Sequence, residues 1–162
     1  MPVKHPFPPL YNSESKILIL GSFPSVKSRE ANFFYAHPQN RFWKVMAYVL
    51  DSPIPQTIKE KTNMLYKGKI ALWDSLASCD ITGSSDASIK NPVANDLSEI
   101  LNSAKIKLIC FNGKKSEEIY KKYGKNYFDG KTICLPSTSP ANAHLSIDEL
   151  SEIWASVLRP EL

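Results

Sequence analysis

Residues 16–23 read KILILGSF, four aliphatic side chains in a row that Gly21, Ser22 and then Pro24 bring to an abrupt end. A run this short and this uniformly apolar fits a strand buried on both faces, and such strands belong to parallel sheets covered by helices on either side. Outward from this run the chain alternates. Arg41 to Leu50 sets Phe42, Trp43, Met46, Val49 and Leu50 at helical spacing before Pro53 and Pro55 close the segment. Thr57 to Tyr66 is a second amphipathic stretch, followed by Gly68; Ile70 to Trp73 reads as a short strand, Ser78 to Ser88 as a Gly/Ser/Asp loop, and Ala94 to Ala104 as a helix. Ile106 to Phe111 is a third strand, Ser116 to Tyr123 a basic helix stopped by Gly124, and Thr132 to Leu135 a fourth strand. Pro136 to Asn142 is a rigid loop, after which Ser146 and Glu149 form a capping box opening a last helix through Trp154 to Leu158.

The order β-α-β-α-β-α-β-α predicts an α/β fold, a three-layer α/β/α sandwich around a central four-stranded parallel sheet, with ligands bound beyond the carboxyl ends of the strands. Three loops should then form the site: Ser22 to Arg41, Asp74 to Asn91 and Pro136 to His144. At 162 residues, 43% hydrophobic and 22% charged, the chain suits one core, so residues 1–162 read as a single domain with residues 1–15 as an arm packed on it. Its apolar runs fall far short of a membrane span and its beginning, MPVKHPFPPLY, is too Pro-broken for a signal peptide, which points to a soluble, unexported, cytoplasmic protein without membrane contacts. Cys79, Cys110 and Cys134 make no CxxC pair and read as reduced core thiols. The net charge of +4 suits an anionic partner without identifying one.

The loop GSFPSVKSREANFFYAHPQNRFWK holds the densest chemistry. Gly21 permits a sharp exit from the strand and Pro24 stiffens the loop beyond it, while Phe33, Phe34, Tyr35 and His37 crowd a segment that should be exposed. Flat side chains there make either satellite core or a platform on which a base stacks. Asn40 can cap the helix beginning at Arg41, Asp74 and Asn112 end strands where side chains reach the site mouth, and Ser137, Thr138 and Ser139 offer hydroxyls between Pro136 and Pro140. Three scattered histidines make no metal site, and NGKKS at residues 112–116 lacks the upstream glycine of a phosphate-binding P-loop. No cofactor is expected.

GSFPS followed by YAHPQNRFWK resembles the first motif of the uracil-DNA glycosylase superfamily, above all the hypoxanthine-DNA glycosylases called family 6 and the mismatch-specific uracil glycosylases. IALWDSLASCDITGSSDASI, KLICFNGKKS and LPSTSPAN resemble the later motifs in the same order, so the likeness runs from about Lys16 to Trp154. The fold it implies is uracil-DNA glycosylase-like. The activity it implies is that of a monofunctional DNA-repair glycosylase, excising a deaminated base, hypoxanthine foremost. A G:U or G:T mismatch-specific uracil or thymine glycosylase is the alternative, followed by a non-catalytic nucleotide- or DNA-binding module. One departure stands out: where most of the superfamily carries a water-orienting Asp or Asn, this chain has Phe23. In the hypoxanthine group the catalytic asparagine lies instead in the HPxNRFW element, which maps to Asn40. The resemblance further implies base contacts from Ser22, Phe23, Tyr35, His37, Asp74 and Asn112, and DNA contacts from Ser137, Thr138, Ser139, Ala141 and Asn142. The implied partner is DNA carrying a deaminated or mismatched base, bound by a monomer near the nucleoid.

Overall fold

The computed structural model describes residues 2–162. Four parallel strands make the central sheet: β2 (Ile17–Gly21), β3 (Ile70–Asp74), β6 (Leu108–Asn112) and β7 (Lys131–Leu135), in spatial order β3-β2-β6-β7. All five β2 residues are buried, and the aliphatic run divides between the two faces as the pleat requires. Ile17 and Ile19 join the larger core beneath α2 (Phe42–Val49), α3 (Ile58–Lys67) and α6 (Ile147–Leu158), where Phe42, Met46, Leu65 and Trp154 are fully enclosed. Leu18 and Leu20 face the opposite way, against Leu97 just before α4 (Ser98–Ser103), Ile100 within it and Tyr120 of α5 (Lys114–Tyr123). Each such aliphatic contributes about 1.5–3 kcal/mol when fully buried, so a strand with no solvent face fixes the three-layer arrangement.

The expected capping box on α6 is present: Ser146 Oγ accepts from Glu149 N, and the Glu149 side chain accepts from Ser146 N. Helix α3 carries a second such box, Thr57 with Glu60, which the sequence reading did not single out. A short helix, α1 (Val26–Ala31), lies inside the loop after β2, opened by Ser25 and closed by Asn32 in the left-handed conformation.

The stretch expected as a loop and the start of a helix instead makes a small antiparallel sheet. Strands β4 (Leu76–Asp80) and β5 (Lys90–Ala94) pair with each other, β1 (Val3–Lys4) pairs with β4, and α4 begins only at Ser98. The N-terminal arm is therefore tied down twice. Val3 and Lys4 stand opposite Cys79 and Ser78, and Leu10 exchanges both backbone hydrogen bonds with Leu72 on the outer edge of β3. A third, minor cluster of Phe23, Leu76, Cys79 and Ile119 fills the space beside this sheet. Cys79 and Cys110 are buried, Cys134 is half-buried, and all three are free thiols. No helix among the described residues is long and apolar enough to cross a membrane.

Candidate active site

Strands β2, β3 and β6 all end at one edge of the sheet, and there Gly21, Asp74, Asn112 and the loops after β2 and β7 enclose a pocket of about 330 Å³. That volume lies at the lower end of the range for small-molecule sites. Every residue to which the sequence assigned a base or DNA contact or the catalytic role lines it, save Asn142.

The wall after β2 is built on aromatic packing. Trp43 Nε1 donates to the carbonyls of Phe34 and Tyr35, holding the turn in which Tyr35 takes φ 51°. A left-handed tyrosine is uncommon outside turns and sites, and here the ring is held by stacking on Phe42 at 4.0 Å and 19°. Phe34 is core, Phe33 stacks on Trp43, and of that aromatic cluster Phe34, Tyr35 and His37 line the pocket. The Tyr35 hydroxyl is buried with no hydrogen-bond partner among the described residues. Burial first, and then the Asp74 carboxylate nearby, push its phenol well above the usual range, so it stays protonated.

His37 Nδ1 accepts from Gln39 N at 3.1 Å, which leaves Nε2–H as the free donor of the neutral ring. Asn40 Oδ1 accepts from Phe42 N at 2.9 Å, and Asn40 N donates to His37 O. Asn40 thus supports the helix start, although the helix begins one residue later than expected, at Phe42. An amide oxygen has two lone pairs, so the second remains available to a water.

Two acidic groups face the pocket. Asp74 is buried, with Oδ2 2.7 Å from Nε2 of His5, and a Cβ on Gly21 would collide with its Oδ1. Asp86, from the turn between β4 and β5, accepts from Ser22 Oγ at 2.8 Å; desolvation raises its carboxyl above the ordinary range despite that bond. Neither His5 nor Asp86 was singled out in the sequence. Phe23 is buried among Leu76, Cys79 and Ile119 and offers the pocket an apolar edge.

The loop after β7 is pinned from below. Asn112 Nδ2 donates to Thr138 Oγ1 and Asn112 Oδ1 accepts from Thr138 N, both at 3.0 Å, so this amide faces the loop first. Thr138 is fully buried, and its hydroxyl is thereby out of reach of a phosphate. Ser137 Oγ accepts from Ser139 N, and Ser139 Oγ from Ala141 N, which leaves both hydroxyl hydrogens free to donate outward. Asn142 knits the loop by donating to Ser137 O. Arg41, read in the sequence only as a helix start, clamps it from the side, with Nη1 donating to Leu145 O and Nη2 to Asn142 O, both at 2.6 Å. No group of three or more His, Cys, Asp or Glu side chains suited to a metal ion occurs among the described residues.

The sequence model of the Uracil DNA glycosylase superfamily matches residues 8–158. The chain belongs to that superfamily. Two relatives extend the match to nearly full length: a hypoxanthine DNA glycosylase of Methanosarcina acetivorans, 34% identical over 160 residues, covering 97% of this chain and 99% of the relative, and one of Methanosarcina barkeri, 32% identical over 161 residues, covering 96% and 98%. The solution NMR structure of a protein from Methanosarcina acetivorans, provisionally assigned as a uracil DNA glycosylase, superposes with a TM-score of 0.80 at 33% identity, covering 99% of this chain and 98% of that one. The fold described above is thus shared along nearly the whole chain with that solved structure.

Proposed function

We propose that residues 1–162 act as a single, monofunctional DNA glycosylase domain that flips a deaminated base out of DNA, hypoxanthine of deoxyinosine foremost, and hydrolyses its N-glycosidic bond to leave an abasic site. One observation carries this reading. Tyr35, His37, Asn40, Asp74 and Asn112 converge on one pocket at the carboxyl edge of the sheet, in a chain about one third identical along nearly its whole length to two proteins named hypoxanthine DNA glycosylase.

The target bond lies inside a base stack, so the nucleotide must be extruded at a cost of a few kcal/mol, least for a mispaired or damaged base. In the reaction the C1'–N bond breaks as a water oxygen bonds to C1'; the sugar passes through an oxocarbenium-like state, the electron pair leaves with the purine, and the proton shed by the water balances the one taken up by the departing base. Asn40 positions that water, the Tyr35 ring supports the flipped base, and groups around Ser22 and Phe23 meet its edge. Ser137 and Ser139 grip the distorted strand, with Ala141 and Asn142 at the wedge. No lysine lines the pocket among the described residues, which supports hydrolysis by water rather than through an amine adduct. The protein is proposed to act as a monomer, and a chromosomal substrate would place it with the nucleoid.

A panel of duplexes carrying inosine, uracil, xanthine or mismatched thymine tests the reading. Alkali-labile product should accumulate fastest from inosine. Faster release of uracil or thymine would make the chain a mismatch-specific glycosylase, and no abasic product from any duplex would leave a binding module.

A further inference from the structure

His5, from the N-terminal arm, reaches Asp74 at the pocket wall. Its Nε2 lies 2.7 Å from Asp74 Oδ2, and both side chains are almost wholly buried, at 3% and 6% exposure. The imidazole is walled in by Phe7 at 4.5 Å, Trp73 at 4.4 Å and Phe23 at 5.9 Å between ring centroids. Nδ1 is buried without a partner among the described residues. An unmet acceptor costs less than an unmet N–H donor, so the arrangement favours Nε2–H donating to Asp74 Oδ2.

The backbone places this contact with care. His5 N donates to Ala77 O, Val3 and Lys4 pair with β4, and Leu10 pairs with Leu72, so the arm is held on both sides of His5 and Phe7. Asp74 is held from its own side too, with Asn95 Nδ2 bridging the Asp74 and Leu76 carbonyls. With Oδ2 taken by His5 and Oδ1 against Gly21 beside the Tyr35 hydroxyl, the carboxylate plane is fixed and one oxygen is left at the pocket.

We propose that the N-terminal arm is part of the active site, with His5 the positioning residue that fixes the Asp74 carboxylate so that its pocket-facing oxygen accepts the N1–H of a flipped hypoxanthine. This rests on the glycosylase reading above. The chemistry discriminates. Hypoxanthine presents N1–H beside its 6-oxo group, whereas adenine has a bare N1 lone pair that a carboxylate repels, so a fixed acceptor at this spot favours the deaminated purine over its parent. A carboxylate free to rotate would lose both the alignment and the discrimination. His5 itself touches no substrate in this scheme and acts through Asp74.

The test compares two duplex probes, one with a non-cleavable 2'-fluorinated inosine and one with a tetrahydrofuran abasic analogue that has no base to read. His5→Ala should weaken binding of the inosine probe about tenfold, the order of one charge-assisted hydrogen bond, and leave the tetrahydrofuran probe within twofold. His5→Gln keeps a donor near the Nε2 position and should restore most of the difference. In an Asp74→Ala background His5→Ala should have no further effect on the ratio of the two affinities. Equal losses on both probes would reduce His5 to a packing residue and overturn the proposal, as would a His5→Ala protein that reads inosine like the wild type. Hypoxanthine release by the wild-type protein is measured alongside. Its absence would defeat the glycosylase reading and this proposal together, whereas normal release with an indifferent His5→Ala variant would defeat the proposal alone.

Discussion

Asn40→Ala separates catalysis from helix capping. Among the described residues the side chain makes one hydrogen bond, Oδ1 accepting from Phe42 N at 2.9 Å. Its loss should cost about 1 kcal/mol, a typical figure for a single cap or hydrogen bond. For a chain of 162 residues that is a fall in thermal midpoint of about 2–4 °C. The second lone pair of the same oxygen is the one proposed to hold the attacking water, and loss of a single preorganised polar group costs about 100-fold or more in rate, or about 2.7 kcal/mol of barrier. The two magnitudes do not overlap. Single-turnover excision of hypoxanthine, followed by alkaline cleavage of the product strand, should therefore fall about 100-fold in a protein that melts only a few degrees lower, while affinity for inosine-containing duplex stays within about threefold. Asn40→Asp is the informative companion, since it keeps an oxygen for Phe42 N and for the water. An Asn40→Ala enzyme that excises inosine, uracil and mismatched thymine like the wild type refutes the assignment and passes the role to Asp74.

Gly21→Ala should be disabling without touching the fold's interior layers, because the new methyl would collide with Asp74 Oδ1 and sit 3.2 Å from the Tyr35 hydroxyl; excision should drop at least tenfold, and an unaffected rate would mean that neither group matters. Ser139→Ala should weaken binding to every duplex by about 1 kcal/mol irrespective of the base, as expected of a phosphate contact, and a change in base preference at constant affinity would contradict it. Asp96 is held down to about 2 by hydrogen bonds from Ser98 and then Asn126. Its folded value lies below the unfolded one, so its contribution is complete above about pH 4 and is lost as pH falls toward 2; Asp96→Asn should flatten that part of an acid-denaturation profile, and an unchanged profile would remove the linkage.

What could be read from the sequence is what local pattern dictates. The ILIL run announces a strand with no solvent face, and Ser146 with Glu149 announces a helix start, because in both cases the determining contacts lie within a few residues. The small sheet was hidden for the opposite reason. Strand β5 reads KNPVA, with asparagine and proline that speak against a strand, yet it is the outer strand of the order β1-β4-β5, where a missing N–H is tolerated. Its inner neighbour β4 is paired on its other side by Val3 and Lys4, more than seventy residues earlier in the chain, and no window on either segment contains the other. The same limit governs the site. The pocket residues on β2, its loop and the β7 loop were legible as motifs, but His5 and Asp74 stand 69 positions apart, and only the fold brings an unremarked N-terminal histidine to a strand-end aspartate. Asn112 and Asp74 were legible as strand-end polar residues, while the division of labour between them, one holding Thr138 and the other facing the pocket, depends on partners the sequence does not display.

Phe23 shows how the missing motif-one carboxylate can be a consistent feature of this site rather than a defect. Phe23 is 8% exposed and packs with Leu76, Cys79 and Ile119, and its ring stands nearly perpendicular to that of His5 at 5.9 Å between centroids. An asparagine or aspartate at this position would be drawn into an apolar cluster with few partners, at a cost of about 1–3 kcal/mol for an unmet polar group and more for a charge. The apolar residue therefore does two things at once: it seats the small sheet against the main domain and helps wall the imidazole that holds Asp74. Polar groups reach the pocket instead from places where the backbone can supply their second partners, Asn40 at a helix start and Asp74 at a strand end braced by His5 and Asn95. On this reading the arm, the small sheet and Phe23 are one device. If His5 fixes Asp74 as proposed, the histidine contact and the apolar Phe23 share one space, and superfamily members with Phe at this position should carry the N-terminal histidine as well.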